Sequence, residues 1–226
     1  MSCYQAVCFD LFDTIVTFDS MIYSSIRREG LNSFGVDAEE FSKIWDESSD
    51  EALGGKFQMI SDRYRHALSL MTEAEKARNI LDDLVEIEKM ALRSAVQPVP
   101  GITEIFKILL AKRKRLAIVS NSSCTGSLVL ELLNWNNFFD ELIFSYLEKV
   151  FKPNPEIFLL TCDKLGLPAN YVAFVSDGDR GDLTGATIAG LDAIRFDPTR
   201  SYQDQYLPPG CYDCLCTETL KNRLLI

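Results

Sequence analysis

The chain is predicted to be an α/β protein. It should have a Rossmann-like parallel sheet core with helices on both faces, and a helical-bundle cap domain inserted after the first strand. Three observations predict this. A short apolar strand, Ala6 to Leu11, runs into the acidic residues Asp10 and Asp13 and cannot bury itself alone. The stretch from Ser20 to Val96 reads as helical, with no strand candidates. Beyond Pro98-Val99-Pro100-Gly101, a natural boundary, amphipathic helices and buried strands alternate, the pattern of a parallel sheet covered on both faces. The division is therefore residues 1–16 and 97–226 for the core and 17–96 for the helical insert.

The insert reads as four helices, with turn signals at Gly30, Gly35 and Gly54-Gly55. Its longest run, Glu73 to Ala95, places Ile80, Leu84, Ile87 and Ala91 on one face. In the core, Ile102, Ile105, Phe106 and Leu109 share a helical face before the strand Leu116 to Val119. A helix near Ser127 to Asn134 leads to a strand at Leu142 to Phe144. The helix Pro155 to Leu165 leads to the strand Val172 to Val175, and a helix from Leu183 to Ala189 to the strand Asp192 to Phe196. A last strand through Cys214 and Cys216, which would put both on one face, and a short helix close the chain.

Composition narrows the function classes. A net charge of −10 argues against nucleic acid or an anionic membrane as partner. The basic cluster Lys112-Arg113-Lys114-Arg115 reads as a helix C-terminus, where cations suit the dipole. No run approaches the roughly 20 apolar residues of a membrane span, and Met1 to Phe12 lacks the basic start of a secretory signal. Seven cysteines, an odd number, suit reduced thiols in a cytoplasm. The group Cys211, Cys214 and Cys216 lacks a fourth Cys or His for structural zinc, so core thiols are expected. The single histidine, His66, sits in a helical stretch away from any nucleophile elbow and excludes His-clustered metal sites.

In open parallel sheets, ligands bind beyond the carboxyl ends of the strands, where strand order reverses. The residues expected at those ends form one set: Asp10-Leu11-Phe12-Asp13-Thr14, Ser120-Asn121-Ser122, Lys152-Pro153, and Asp177 through Asp182. Carboxylates, one lysine and small hydroxyls thus gather from four segments, and a carboxylate is a competent covalent nucleophile. An acidic chain that handles an anion must build a local positive pocket, for which a metal is one source.

These segments resemble the four motifs of the haloacid dehalogenase superfamily, and the inserted helices resemble its cap. The resemblance implies a hydrolase, most readily a Mg2+-dependent phosphatase of a small phosphorylated metabolite, acting as a monomer or homodimer. It implies Asp10 as the nucleophile and Asp10, the Phe12 carbonyl and Asp177 as metal ligands. Lys152 would neutralise the transferring group, Ser120 and Asn121 would bind it, and Asp182 would hold a metal-bound water or orient Lys152. In the cap, Lys56 and Arg63 are candidates to meet the substrate.

One position departs from the pattern. Phe12 stands where the family's phosphatases usually carry a second Asp as general acid and base, a contribution of about 10² to 10⁴ in rate. Asp13 is the candidate substitute, but it lies one residue further on and reads first as a turn residue. The dehalogenase branch, which needs no metal, usually has an aromatic there. Its halide-side arginine follows a cap tryptophan, whereas here Trp45 is followed by Asp46, and it largely replaces the acid that Asp177 retains. Alternatives to the phosphatase are thus a metal-free 2-haloacid dehalogenase and a scaffold that binds without turnover.

Overall fold

The computed structural model describes residues 4–201 and 206–225. In chain order it contains β1 (Ala6–Phe9), β2 (Val16–Phe18), α1 (Ser20–Ser33), α2 (Ala38–Glu47), α3 (Ser49–Leu53), α4 (Ile60–Ser69) and α5 (Ala74–Ala95). Next come β3 (Val96–Pro98), α6 (Ile102–Ala111), β4 (Arg115–Ser120), α7 (Cys124–Leu132), β5 (Glu141–Phe144) and α8 (Ser145–Glu148). The chain continues through α9 (Pro155–Leu165), β6 (Val172–Ser176), α10 (Asp182–Ile188), β7 (Asp192–Arg195), β8 (Tyr212–Asp213) and α11 (Thr217–Leu224).

Six strands form one sheet in the order β5-β4-β1-β6-β7-β8, and each pairing is parallel. The two-residue side-chain period of a strand sorts residues onto two faces. Val7, Phe9, Leu116, Ile118, Ala173 and Val175 enter one apolar cluster, while Ala6, Cys8, Ala117, Val119, Val172 and Phe174 enter the other. On the first face α6 buries Ile102, Ile105, Phe106 and Leu109, each worth about 1.5–3 kcal/mol for the larger side chains. Phe106 meets Phe9 edge-on at 5.2 Å, which ties this helix to the strand that ends at Asp10. β1 sits centrally, with chain crossing to β4 on one side and β6 on the other, so the switch point lies at its C-terminal end.

Several local expectations shift. Five helices, not four, fill residues 20–95, because α3 forms a separate short helix. Gly30 does not interrupt α1. It lies inside the helix and lets α5 approach, since a Cβ there would stand 2.5 Å from Ile87 Cγ2. Asp19 caps α1 by accepting from the Met21 and Ile22 amides. The helix expected from Ser127 starts at Cys124, where Ser123 caps it.

The unexpected element is the antiparallel pair β2–β3, which joins the two crossings between sheet and helical block. Cys214 is buried, but Cys216 is exposed ahead of α11, so the two do not share a buried face. β8 covers only Tyr212 and Asp213, which ends the alternation before Cys216. Among the described residues the cysteines are free thiols, and Cys3 lies outside them. His66 lies half-buried on α4 beside Phe57. Lys112 ends α6, but Lys114 is buried and donates to the Tyr4 carbonyl. No described helix is long and apolar enough to cross a membrane.

Candidate active site

Asp10 follows the last residue of β1, and its amide donates to the Val175 carbonyl at 2.9 Å, which fixes the turn against β6. Lys152 arrives between β5 and α9. Its backbone is held from both sides by one side chain: Lys152 N donates to Asn121 Oδ1 and Asn121 Nδ2 donates to the Lys152 carbonyl, both at 2.8 Å. The Lys152-Pro153 bond is cis. Asn154 then caps α9, with Pro155 at its first position, so the chain turns from site to helix in two residues. Lys152 Nζ reaches Asp10 Oδ1 at 2.8 Å and Asp182 Oδ2 at 2.5 Å.

The loop after β6 completes the arrangement. The Ser176 hydroxyl donates toward Asp177 Oδ1 at 3.2 Å and Asp182 Oδ2 at 3.3 Å. Asp177 N donates to Thr14 Oγ1 at 3.0 Å, which ties this loop to the one after β1. Asp179 N donates to Asp177 Oδ1 at 3.1 Å. A cavity of 210 Å³ is lined by Asp10, Phe12, Asp13, Ser120, Asn121, Lys152, Asp177, Asp179, Arg180 and Asp182. That volume suits a phosphate-sized group rather than a drug-sized ligand. A larger cleft of 670 Å³ opens between α4, α5 and α7, with Ile60, Val85, Cys124 and Leu128 in its walls. The Asp10 constellation lines only the smaller one.

Electrostatically the cavity is overloaded with acid. Five carboxylates line it against Lys152 and Arg180, and Arg180 is itself paired with Asp179. Burial pushes Asp177 up to about 7, with Asp10 adding to the push and the Asp179 amide opposing it. Burial also raises Asp13, helped by Asp10 and Asp179. Asp182 rises chiefly through burial, although Lys152 pulls the other way. Burial works against the Lys152 charge, and the Asp10 and Asp182 carboxylates outweigh it, lifting the ammonium to about 12.

A hard divalent cation fits this donor set. Among the described residues no cage of three His, Cys, Asp or Glu side chains exists. Magnesium keeps several waters and is bound through one or two carboxylates, which Asp10 and Asp177 can supply. A cation there would also relieve the carboxylate repulsion that Lys152 and Arg180 leave unbalanced.

The structure thus brings together Asp10, Phe12, Ser120, Asn121, Lys152, Asp177 and Asp182, as the strand-end reading expects. It does not bring Arg63 or Lys56 to the cavity. Arg63 is buried inside the helical block, where it donates to the Trp45 carbonyl at 2.6 Å and to the Ser48 and Ser49 hydroxyls, and stacks over Trp45. Lys56 is on the surface, paired with Glu51 at 2.7 Å.

Sequence reasoning read Asp13 chiefly as a turn residue, with the role of acid as the lesser alternative, and passed over the Thr14 contact. Asp13 does take a positive φ of 57°, yet it also lines the cavity. Its position beside Asp10 was the available signal. Phe12 turns toward Phe18, edge-on at 6.3 Å, and links the site to the helical block through Phe18 and Tyr23.

A parallel sheet with a lysine-paired aspartate at its switch point, and a helical block inserted just behind it, defines one class of α/β hydrolase. The chain belongs to the haloacid dehalogenase-like hydrolases, whose family model matches residues 4–190. Its similarities run to both chemistries of the family. It is 24% identical over 195 residues to the phosphorylated carbohydrates phosphatase of Thermotoga maritima, covering 84% of this chain and 83% of that one. It is likewise 24% identical over 196 residues to (S)-2-haloacid dehalogenase 4A of Burkholderia cepacia, covering 85% and 82%. In fold it matches the crystal structure of 2-haloacid dehalogenase from Pseudomonas syringae pv. Tomato DC3000, with a TM-score of 0.73, 23% identity and coverage of 97% and 99%.

Proposed function

We propose that this hydrolase is a Mg2+-dependent phosphatase of a small phosphorylated metabolite, with Asp10 as nucleophile. One observation carries the reading: the cavity sets five carboxylates against two cations, an arrangement that suits a bound divalent metal and not a metal-free haloacid site. Asp10, the Phe12 carbonyl and Asp177 would hold magnesium. When bound, it would offset the charge of the phosphate and favour its approach to Asp10.

The chain's own groups do the rest. Asp10 attacks phosphorus and the ester oxygen leaves, forming an aspartyl phosphate that water then hydrolyses. Lys152, held by Asp10 and Asp182, neutralises the nucleophile and the transferring oxygens, while the Ser120 hydroxyl and the backbone amide of Asn121 donate to the phosphate. No carboxylate occupies position 12, so departure of a basic alcohol and attack of water are both slow. Acyl and aryl phosphates, with better leaving groups, suffer least. Residues 17–96 act as the cap over the core of residues 1–16 and 97–226, excluding water when closed. The free thiols support a cytoplasmic setting.

Phosphate release from acetyl phosphate and p-nitrophenyl phosphate, with Mg2+ and then with EDTA, tests the reading. Metal-dependent release is expected, and it disappears in Asp10→Asn. The aromatic Phe12 favours a second reading, dehalogenation of a 2-haloacid. Chloride release from chloroacetate, unaffected by EDTA, would replace the first reading with this one.

A further inference from the structure

Lys149 lies outside the cavity, three residues before Lys152, and takes a left-handed conformation at the end of α8 with φ 61°. Its ammonium bonds to carbonyl oxygens only: Gly54 at 2.8 Å, Gly55 at 3.0 Å and Tyr146 at 2.9 Å. The first two belong to the loop after α3 in the helical block, and the third to the core, so all three ammonium protons are used in one bridge. These carbonyls end two short helices, where a cation suits the exposed C=O groups. A second observation points to the same joint. Gly55 has φ +77°, and a Cβ there would stand 1.8 Å from Lys149 Nζ and 1.9 Å from the Tyr146 carbonyl oxygen. Only glycine lets the loop sit this close.

The core side of the bridge is bolted to the site. Ser122 N donates to Ser145 Oγ at 3.1 Å, Ser145 Oγ donates to the Ser122 carbonyl at 3.2 Å, and Tyr146 N donates to the same carbonyl at 3.3 Å. Ser122 adjoins Asn121, whose side chain clamps the Lys152 backbone. At its other side the helical block is fastened by the β2–β3 ribbon and by the Asp19 amide donating to the Ala95 carbonyl at 2.9 Å. Among the described residues the block thus meets the core at its two chain crossings and, through the Lys149 ammonium, at the Gly54-Gly55 loop.

We propose that Lys149 is a closure latch, a positioning residue that couples seating of the helical block to the placement of Lys152 and the Ser120–Ser122 loop. With the loop seated, Lys149 holds α8 and the 149–152 segment, and through Asn121 keeps the Lys152 ammonium on Asp10. With the loop withdrawn, two of the three carbonyls leave and the segment loosens. This rests on the cap role given above to residues 17–96, and not on which substrate the site takes.

The test is hydrogen exchange on the full chain, which needs no turnover, with Lys149→Met, Lys149→Arg and Gly55→Ala. Lys149→Met is expected to speed amide exchange about tenfold in residues 54–58 and also in the peptide holding Lys152, with the helix α6 amides unchanged. Lys149→Arg should restore most of the protection, and Gly55→Ala should reproduce the Lys149→Met pattern. Faster exchange confined to residues 54–58 would overturn the coupling. Unchanged exchange in both regions would overturn the latch itself, whatever the phosphate-release assay gives.

Discussion

Two buried charged clusters share this molecule, and they are built on opposite principles. In the helical block, Glu88 is fully buried and fully partnered: Tyr23 Oη donates to Oε1 at 2.6 Å, Tyr64 Oη to Oε2 at 2.8 Å, and Arg27 pairs with Oε2 at 3.0 Å. Arg27 stacks over Trp45 at 4.4 Å, and one of its amino groups is buried with no hydrogen-bond partner among the described residues. Burial pushes both tyrosines up, Glu88 adding to the push, so they stay protonated donors. Burial opposes the Arg27 charge, but the Glu88 carboxylate paired with it keeps the guanidinium ionised. At the strand ends, by contrast, Lys152 serves two carboxylates, while among the described residues Asp177 and Asp13 form no ion pair, around an open cavity. The first cluster closes on itself and supports a fold. The second leaves acidic charge facing an open cavity, and that difference is what the proposed site of chemistry rests on.

The comparison breaks most sharply at Asp10. Asp10→Asn should lower turnover by at least about 10³-fold, with the far-UV spectrum and cooperative unfolding retained. Glu88→Leu should do the reverse. It strands the Arg27 charge in an apolar setting and should cost about 3–5 kcal/mol in denaturant unfolding, while kcat of the folded fraction is unchanged. Equal effects of the two substitutions on catalysis would erase the distinction between the clusters.

Phe12→Asp should sharpen it. A carboxylate placed beside the cavity supplies the missing acid and base, so hydrolysis of alkyl phosphates should rise about 10²-fold. Acetyl phosphate should gain much less, because its leaving group needs no proton. Equal gains on both substrates would contradict the role given to position 12.

A smaller contrast lies in the thiols. Burial, opposed by Arg63, pushes Cys124 up to about 11, whereas hydrogen bonding from the Thr219 backbone lowers the exposed Cys216 thiol. Well below pH 11 Cys124 stays protonated, and its thiolate grows only as pH rises toward that value. At pH 7.5 iodoacetamide should label Cys216 at least about 10²-fold faster than Cys124, as read by peptide mass spectrometry. Smallest of all, Lys56→Ala should leave KM within about twofold of the parent, since its ammonium pairs with Glu51 on the surface.

The candidate constellation was readable because its residues lie at strand ends. Each apolar run that stops at Asp10, Ser120 or Ser176-Asp177 announces both the strand and the residue it delivers. The β2–β3 ribbon was not readable, since its strands are three residues each and lie about 80 positions apart. Nor was the fate of Arg63: a helical arginine reads the same whether it faces a substrate or, as here, the carbonyl that ends a neighbouring helix turn. Glu88 was hidden for a similar reason, because one acid on the apolar side of α5 reveals nothing of two tyrosines and an arginine from α1 and α4. Lys149 was likewise invisible, since its three carbonyl partners carry no side-chain signature.

The central claim is that Asp10 carries a phosphoryl group in turnover and that Phe12 slows its removal. The most direct measurement is intact and peptide mass spectrometry after acid quench of the chain mixed with acetyl phosphate and Mg2+. One phosphoryl group on the peptide containing Asp10 is expected, absent with EDTA and absent in Asp10→Asn. An unmodified Asp10 peptide under all three conditions, together with chloride release from chloroacetate, would contradict the account.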